Sequence, residues 1–393
     1  MTASAKRPLQ GVVNELRHVV GKLPRRSLVT IAGVVTFAVV GTVLLVGSHA
    51  ATPTASFEPE AGTRSGNASI VSDSGASGSS AVKFSATSGG TSTCPYRFPT
   101  PSCVGLPAGW TSTATYTSDR IISADNAVVE NITMDGAVLY ITGDNVTVRK
   151  VKFTHGAGIS TERNNYCAAN TVIEDSTFTP DGVDWLAPGI DATIQTGGYT
   201  ARRIYMDGVY EALRVGGRGL SGSPCGSTTI EKSYIRASYP VQCPSTPGWD
   251  WHGDGLQFYD GQYSTITDTV INLDELYPNC AGTAPLFLAD QCNTGSPNWN
   301  TVSCTTIQPW FNNTLAAHGG VISNINGLML AGGGYSFRAY MPVKVSGLYI
   351  KNDSWHFRAA DVDCSNVTAG WDAHVATIDG NGQPVSGAAV ACL

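Results

Sequence analysis

One nine-residue pattern recurs from Asn126 onward and constrains this chain more than any other feature. Apolar or small residues fill its fourth, seventh and ninth places, and eight copies begin at Asn126, Asn145, Asn170, Gly198, Ser227, Tyr263, Gly319 and Pro342. The starts lie 19, 25, 28, 29, 36, 56 and 23 residues apart. Such drift excludes a solenoid of rigid period and suits one whose turns accept insertions. Each copy reads as a short strand, a polar pair at a corner, then a second short strand. The pairs are Glu130-Asn131, Arg149-Lys150, Glu174-Asp175, Arg202-Arg203, Glu231-Lys232 and Thr267-Asp268. Period-two alternation and the near absence of helical spacing point to strands. The fourth-place residues Val129, Val148, Ile173, Ala201, Ile230, Ile266, Ile322 and Val345 would then stack inward on strands about 4.8 Å apart. The expected fold is all-β, a parallel β-helix. An antiparallel sandwich would need hairpin turns at a steady spacing that the sequence does not supply.

Between these copies lies a second motif, two residues followed by an apolar and a polar one: Ala192-Thr193-Ile194-Gln195, Glu211-Ala212-Leu213-Arg214, Asp254-Gly255-Leu256-Gln257 and Tyr335-Ser336-Phe337-Arg338. If each is one strand of a coil, Gln195, Arg214 and Gln257 form a column on consecutive coils of one outer face, with steps of about 5 Å. Glu211 and Asp254 then share the neighbouring column. Insertions before Asn170, after Gly217, around Trp249 and after Leu276 would build walls beside it.

These coils resemble the secreted right-handed parallel β-helix proteins of the pectate-lyase-like superfamily. The likeness runs from about Thr93 to Leu393. It rests on Gly105-Leu106-Pro107-Ala108-Gly109, on the repeats, on His252-Gly253-Asp254-Gly255-Leu256-Gln257 and on Gly332-Gly333-Gly334-Tyr335. The resemblance implies a right-handed β-helix and an extracellular setting, but it does not identify a reaction, because the superfamily holds lyases, hydrolases, epimerases and proteins without known catalysis. The chain lacks an adjacent Asp pair and an Arg-x-Lys, so the pattern of polygalacturonase-type hydrolases is missing.

The sharpest local constellation is Trp249-Asp250-Trp251-His252-Gly253-Asp254. Trp249 and Trp251 offer flat faces for sugar rings, and His252 brings a group that titrates near neutrality. Arg214, flanked by Gln195 and Gln257, would neutralise a uronate carboxylate and so acidify the proton beside it, the first requirement of β-elimination. His252 is then the candidate base, Arg338 a second anion contact and Tyr335 a further substrate contact. The alternative is a polar ladder on a solvated sheet face. Three readings stay open for Glu211 and Asp254: Ca2+ ligands, the acid and nucleophile of a retaining hydrolase, or unrelated surface acids. In each, like charges one coil apart should couple in their titration.

Ahead of the coils, Leu28–Val46 is an uncharged apolar run of nineteen residues preceded by six cations and one acid. That is a membrane-inserting segment with a positive inner flank. It reads as an anchor or, given Ser48-His49-Ala50, as a signal peptide cleaved near Ala50. Residues 51–92 read as a Ser/Gly-rich linker in which Phe57-Glu58-Pro59-Glu60 and Ala81-Val82-Lys83-Phe84 form a short hairpin, similar to the opening of lectin-like modules. Either way residues 93–393 are expected outside the cytoplasm, on the cell surface or secreted. All ten cysteines fall at or after Cys94, an even count that suits disulfides in an oxidising compartment.

A net charge of -6 with only 14% charged residues gives a nucleic-acid partner little support. No coiled-coil stretch is present to assemble an oligomer, so a monomer is expected. Two functions remain: a lyase-type enzyme acting on an acidic glycan, or a non-catalytic surface module for glycan binding or adhesion.

Overall fold

The computed structural model describes residues 68–72, 80–84, 94–183, 186–216, 225–238, 253–258, 262–273, 282–289 and 301–393. The chain divides into two units, residues 1–88 and 89–393. In the first, the described part is one antiparallel pair, Ala68–Ser72 with Ser80–Phe84. The second of these strands is the one expected at Ala81-Phe84, but its partner is Ala68–Ser72. Phe57–Glu60 and the apolar run Leu28–Val46 lie outside the described residues. Among the described residues, no helix is long and apolar enough to cross a membrane.

The second unit consists of stacked parallel sheets, as in a parallel β-helix. A nine-stranded sheet runs from Arg120–Ile122 through Val138–Ile141, Gly158–Ser160, Ile194–Gln195, Leu213–Val215, Leu256–Phe258, Leu286–Leu288 and Tyr335–Ala339 to Arg358–Val362. A sixteen-stranded sheet supplies the strands on either side of each corner. The corner pairs lie where the repeat predicts. Their second members Asn131, Lys150, Asp175, Arg203, Lys232 and Asp268 all adopt left-handed backbone, with φ between 45° and 57°. The bend separates two short strands at each corner, but the pairs are not all open to water as expected, since Glu174 and Asp175 are 9% and 6% exposed beneath Arg202 and Arg203. In the later coils the corner passes to glycine. At Gly327, φ is +86°, and a Cβ would come 2.7 Å from the Arg97 guanidinium.

Inside, the repeats stack in register. Val129 pairs with Val148, Val148 with Ile173, Ile173 with Ala201, Ala201 with Ile230 and Ile230 with Ile266. The next member is Ile325, not Ile322. The expected copy at Gly319 is three residues early, because Gly319 and Gly320 end a helix, with Gly320 N–H donating to Leu315 O at 2.7 Å. Ile322 and Ile325 are both fully buried, so apolar spacing could not separate them. A parallel column carries Met134, Phe153, Phe178, Met206 and Ile235. The rings of Phe153 and Phe178 stack at 4.4 Å.

The helix itself, Thr301–Ala317, falls within an insertion that showed no helical pattern. Residues 94–109 lie against the corner edge, where Arg97 pairs with Asp268 at 2.7 Å, Phe98 packs on Val270 and Met329, and Gly105 N–H reaches Arg203 O at 2.8 Å. Disulfides join Cys94 to Cys103, Cys167 to Cys225 and Cys364 to Cys392. The last of these ties down an antiparallel pair, Val367–Ile378 with Pro384–Ala389, that closes the end of the stack and leaves less sheet edge bare.

Candidate functional site

The nine-stranded sheet sets the site by register. Ile194 pairs with Leu213, and Arg214 lies directly against Gln257. Gln195, Arg214 and Gln257 therefore share one outward column. The column continues through Phe287 to Arg338 and Asp361. The strand Leu286–Leu288 was missed in the sequence, since Ala284-Pro285-Leu286-Phe287 ends in an aromatic residue where the motif has a polar one.

Three residues before each column member, Glu211 and Asp254 lie on neighbouring coils and are almost fully buried, at 5% and 1% exposure. Asp254 N–H donates to Glu211 Oε2 at 3.0 Å, and Ala284 N–H donates to Asp254 Oδ1 at 2.9 Å. Arg214 Nη2 stands 3.8 Å from Glu211 Oε1, too far for a hydrogen bond, and that oxygen accepts from none of the described residues. Burial pushes the Glu211 carboxyl up to about 8, against the pull of Arg214 and the Asp254 N–H. Burial, and then the charge of Glu211, raise Asp254 well above the carboxylate range, against Ala284 N–H, Arg214 and Arg338. Burial and mutual repulsion thus favour the protonated form of both, and their titrations depend on each other.

Above them, Arg214 is a cation with 18% of its side chain exposed. It donates to Gln257 Oε1 at 3.4 Å and pairs with Asp191 at 3.2 Å, whose own side chain is 82% exposed. Gln195 uses its amide on the same loop, accepting from Asp191 N–H at 2.6 Å and donating to Gly189 O at 3.3 Å. It positions the loop that carries Asp191. Arg338 donates to Asp361 at 3.0 Å and lies over the rings of Tyr335, Tyr340 and Phe287 at 4.7, 5.2 and 5.5 Å.

Asp191, Phe287, Tyr340 and Asp361 escaped the sequence reading. Only Asp191 left a signal, standing directly before the motif at Ala192. Trp249, Trp251 and His252 lie outside the described residues, as do Cys243, Cys280 and Cys292 and the side chain of Cys304.

The described residues do not fit Ca2+ at Glu211 and Asp254. The ion takes 6 to 8 oxygen ligands, whereas these carboxyls face backbone N–H groups and a guanidinium. Among the described residues no cluster of three or more His, Cys, Asp or Glu is arranged to hold a metal ion.

No family model, no curated protein and no solved structure matches this chain.

Proposed function

We propose that this chain is an extracellular, polysaccharide-active right-handed β-helix of the pectate-lyase-like kind, acting as a lyase on an acidic glycan. The observation that carries this reading is an arginine, Arg214, lying above two buried carboxyl groups, Glu211 and Asp254, whose burial favours the protonated form. In β-elimination a base removes the proton beside the uronate carboxylate, and negative charge gathers on that carboxylate in the transition state. The C–H electron pair becomes the new C=C bond as the bond to the leaving glycosidic oxygen breaks, and that oxygen takes up a proton. Arg214 and Gln257 would hold the carboxylate. Burial favours the protonated forms of Glu211 and Asp254, so neither sets a full negative charge beneath Arg214, whose partner at the rim is the exposed Asp191. His252, next in sequence to Gly253-Asp254, is the base proposed from sequence alone. The N-terminal run would deliver the chain across a membrane, either retained as an anchor at residues 28–46 or cut near Ala50.

The near-complete burial of Glu211 and Asp254 favours a second reading, since neither carboxyl touches the surface on which a glycan would lie. Under it the same face is a non-catalytic glycan-binding or adhesion module.

Purified protein with its disulfides intact, incubated with polygalacturonate, alginate, hyaluronan and neutral xylan with and without Ca2+, separates these readings. The lyase reading expects ultraviolet absorbance of an unsaturated sugar and new reducing ends together, from an acidic polymer only. Reducing ends without absorbance would mean hydrolysis and overturn it. Silence in both, with retention on an immobilised acidic polymer, would leave the binding module.

A further inference from the structure

Among the described residues, Phe357 is the most exposed large hydrophobic side chain, with 65% of its surface open to solvent. Its backbone is nonetheless tightly held. Phe357 N–H donates to Gly334 O at 2.8 Å and His356 N–H to Gly333 O at 3.0 Å. The glycine turn is fixed in its own right, with Gly334 N–H on Gly282 O at 2.9 Å and Tyr335 N–H on Thr283 O at 3.2 Å. Gly334 leaves the room the ring occupies, since a Cβ there would come 3.2 Å from two ring carbons. The ring meets Tyr335 at 5.3 Å, and Tyr335 in turn lies against Arg338. The ring also meets His356 edge-on at 4.6 Å, so it stands not alone but in an aromatic group of Tyr335, His356 and Phe357 beside Arg338.

Arg338 stands on the same column as Arg214, three strands further along. At the spacing of parallel strands that is roughly 14 Å. Gln257 and Phe287, which stand between them, are 8% and 4% exposed, so what joins the aromatic group to the Arg214 site is one strand column.

We infer that Phe357 and Tyr335 form a sugar-stacking subsite for the pyranose rings of a glycan whose carboxylate sits at Arg214, so that the protein grips a polymer along the helix axis. This rests on the glycan reading above and adds where the chain runs and what holds its distal end. Flat aromatic faces suit the apolar C–H face of a sugar, and a rigid ring loses little entropy on binding.

The test compares Phe357→Ala, Phe357→Trp and Arg214→Ala in the full chain, with polygalacturonate, alginate and hyaluronan each offered as polymer and as disaccharide. Phe357→Ala should weaken binding of the polymer about tenfold and leave the disaccharide and the melting temperature unchanged. Phe357→Trp should restore the polymer. Gly334→Ala, which crowds the ring without removing it, should give an intermediate loss. If Phe357→Ala binds polymer as the wild type does while Arg214→Ala does not, the subsite is refuted and the Arg214 reading stands. Equal weakening for polymer and disaccharide would also refute a distal subsite. Failure of the wild-type protein to bind any of the three polymers would remove both.

Discussion

Glu174 and Glu211 are buried to nearly the same degree, 9% and 5% exposed, yet they hold opposite charge states. Glu174 sits at a corner, where burial pushes its carboxyl up but the hydrogen bonds and charges of Arg202 and Arg203 outweigh it and hold it below the ordinary range. Its Oε2 accepts from Arg202 Nε at 2.7 Å and from Arg203 Nη2 at 2.9 Å. Among the described residues, Glu211 has one guanidinium, that of Arg214 at 3.8 Å, and a second acid, Asp254, one coil away. Burial wins there. The difference shows that partner number and distance, not depth, decide which buried acid is charged. At the corner, paired charges knit successive coils together. Under the polar column, burial favours the protonated carboxyls of Glu211 and Asp254, and Arg214 pairs with the exposed Asp191.

The comparison breaks most visibly at the arginines. Arg214→Ala should lower turnover or affinity for an acidic glycan by about 10²- to 10³-fold. Its effect on melting near neutral pH should be small, because the carboxyls below it are already protonated. Urea melts alongside steady-state assays check both halves of that expectation. Arg203→Ala should do the reverse. Its side chain is 34% exposed and its partners Glu174 and Asp175 are buried, so stranding them should cost about 2 kcal/mol after solvent screening, with the site intact.

A smaller effect sharpens the contrast through pH. For Glu211 the folded value lies above the ordinary 4.5, at about 8. Folding therefore pays no penalty for this group below about pH 4.5 and loses stability as pH rises toward about 8. Glu211→Gln should flatten that slope and be at least as stable as wild type at pH 8. Glu174 has the opposite sign, since its contribution is present above its ordinary range and is lost as pH falls through the depressed folded value. Glu174→Gln should cost about 1 kcal/mol at pH 7. Thermal melts across pH 4 to 9 distinguish the two amides.

The smallest effect concerns Asp191. An ion pair whose acid is 82% exposed contributes under about 1 kcal/mol. Asp191→Asn should therefore tighten binding of an acidic glycan by no more than about fivefold, readable by calorimetry. Weaker binding would mean that Asp191 positions Arg214 instead of competing at it.

Much of this architecture was legible in the sequence because a solenoid repeats its physics every coil. Val129 through Ile266, the corner positions and the Arg214 to Gln257 step all follow from local pattern plus one stacking rule. The slip at Ile322 came where two buried isoleucines three apart flank a helix end. The helix at Thr301–Ala317 was hidden because Pro309 and scattered polar residues give it no regular apolar stripe. The site was legible in its residues but not in its electrostatics. Spacing places Glu211 beside Asp254, but it cannot tell that both are shielded from water or that Asp191 reaches Arg214 from a preceding loop. The aromatic surface at Phe357 depends on a glycine turn folding back from another coil, which no local pattern reports.

The most direct test of the account is the protonation of Glu211 and Asp254 in the intact protein at pH 7, read from carboxyl carbon chemical shifts with Glu211→Gln to assign the signals. The account predicts protonated carboxyls that titrate together as the solution becomes alkaline, while Glu174 is already ionised. Two fully ionised carboxylates at pH 7 would contradict it.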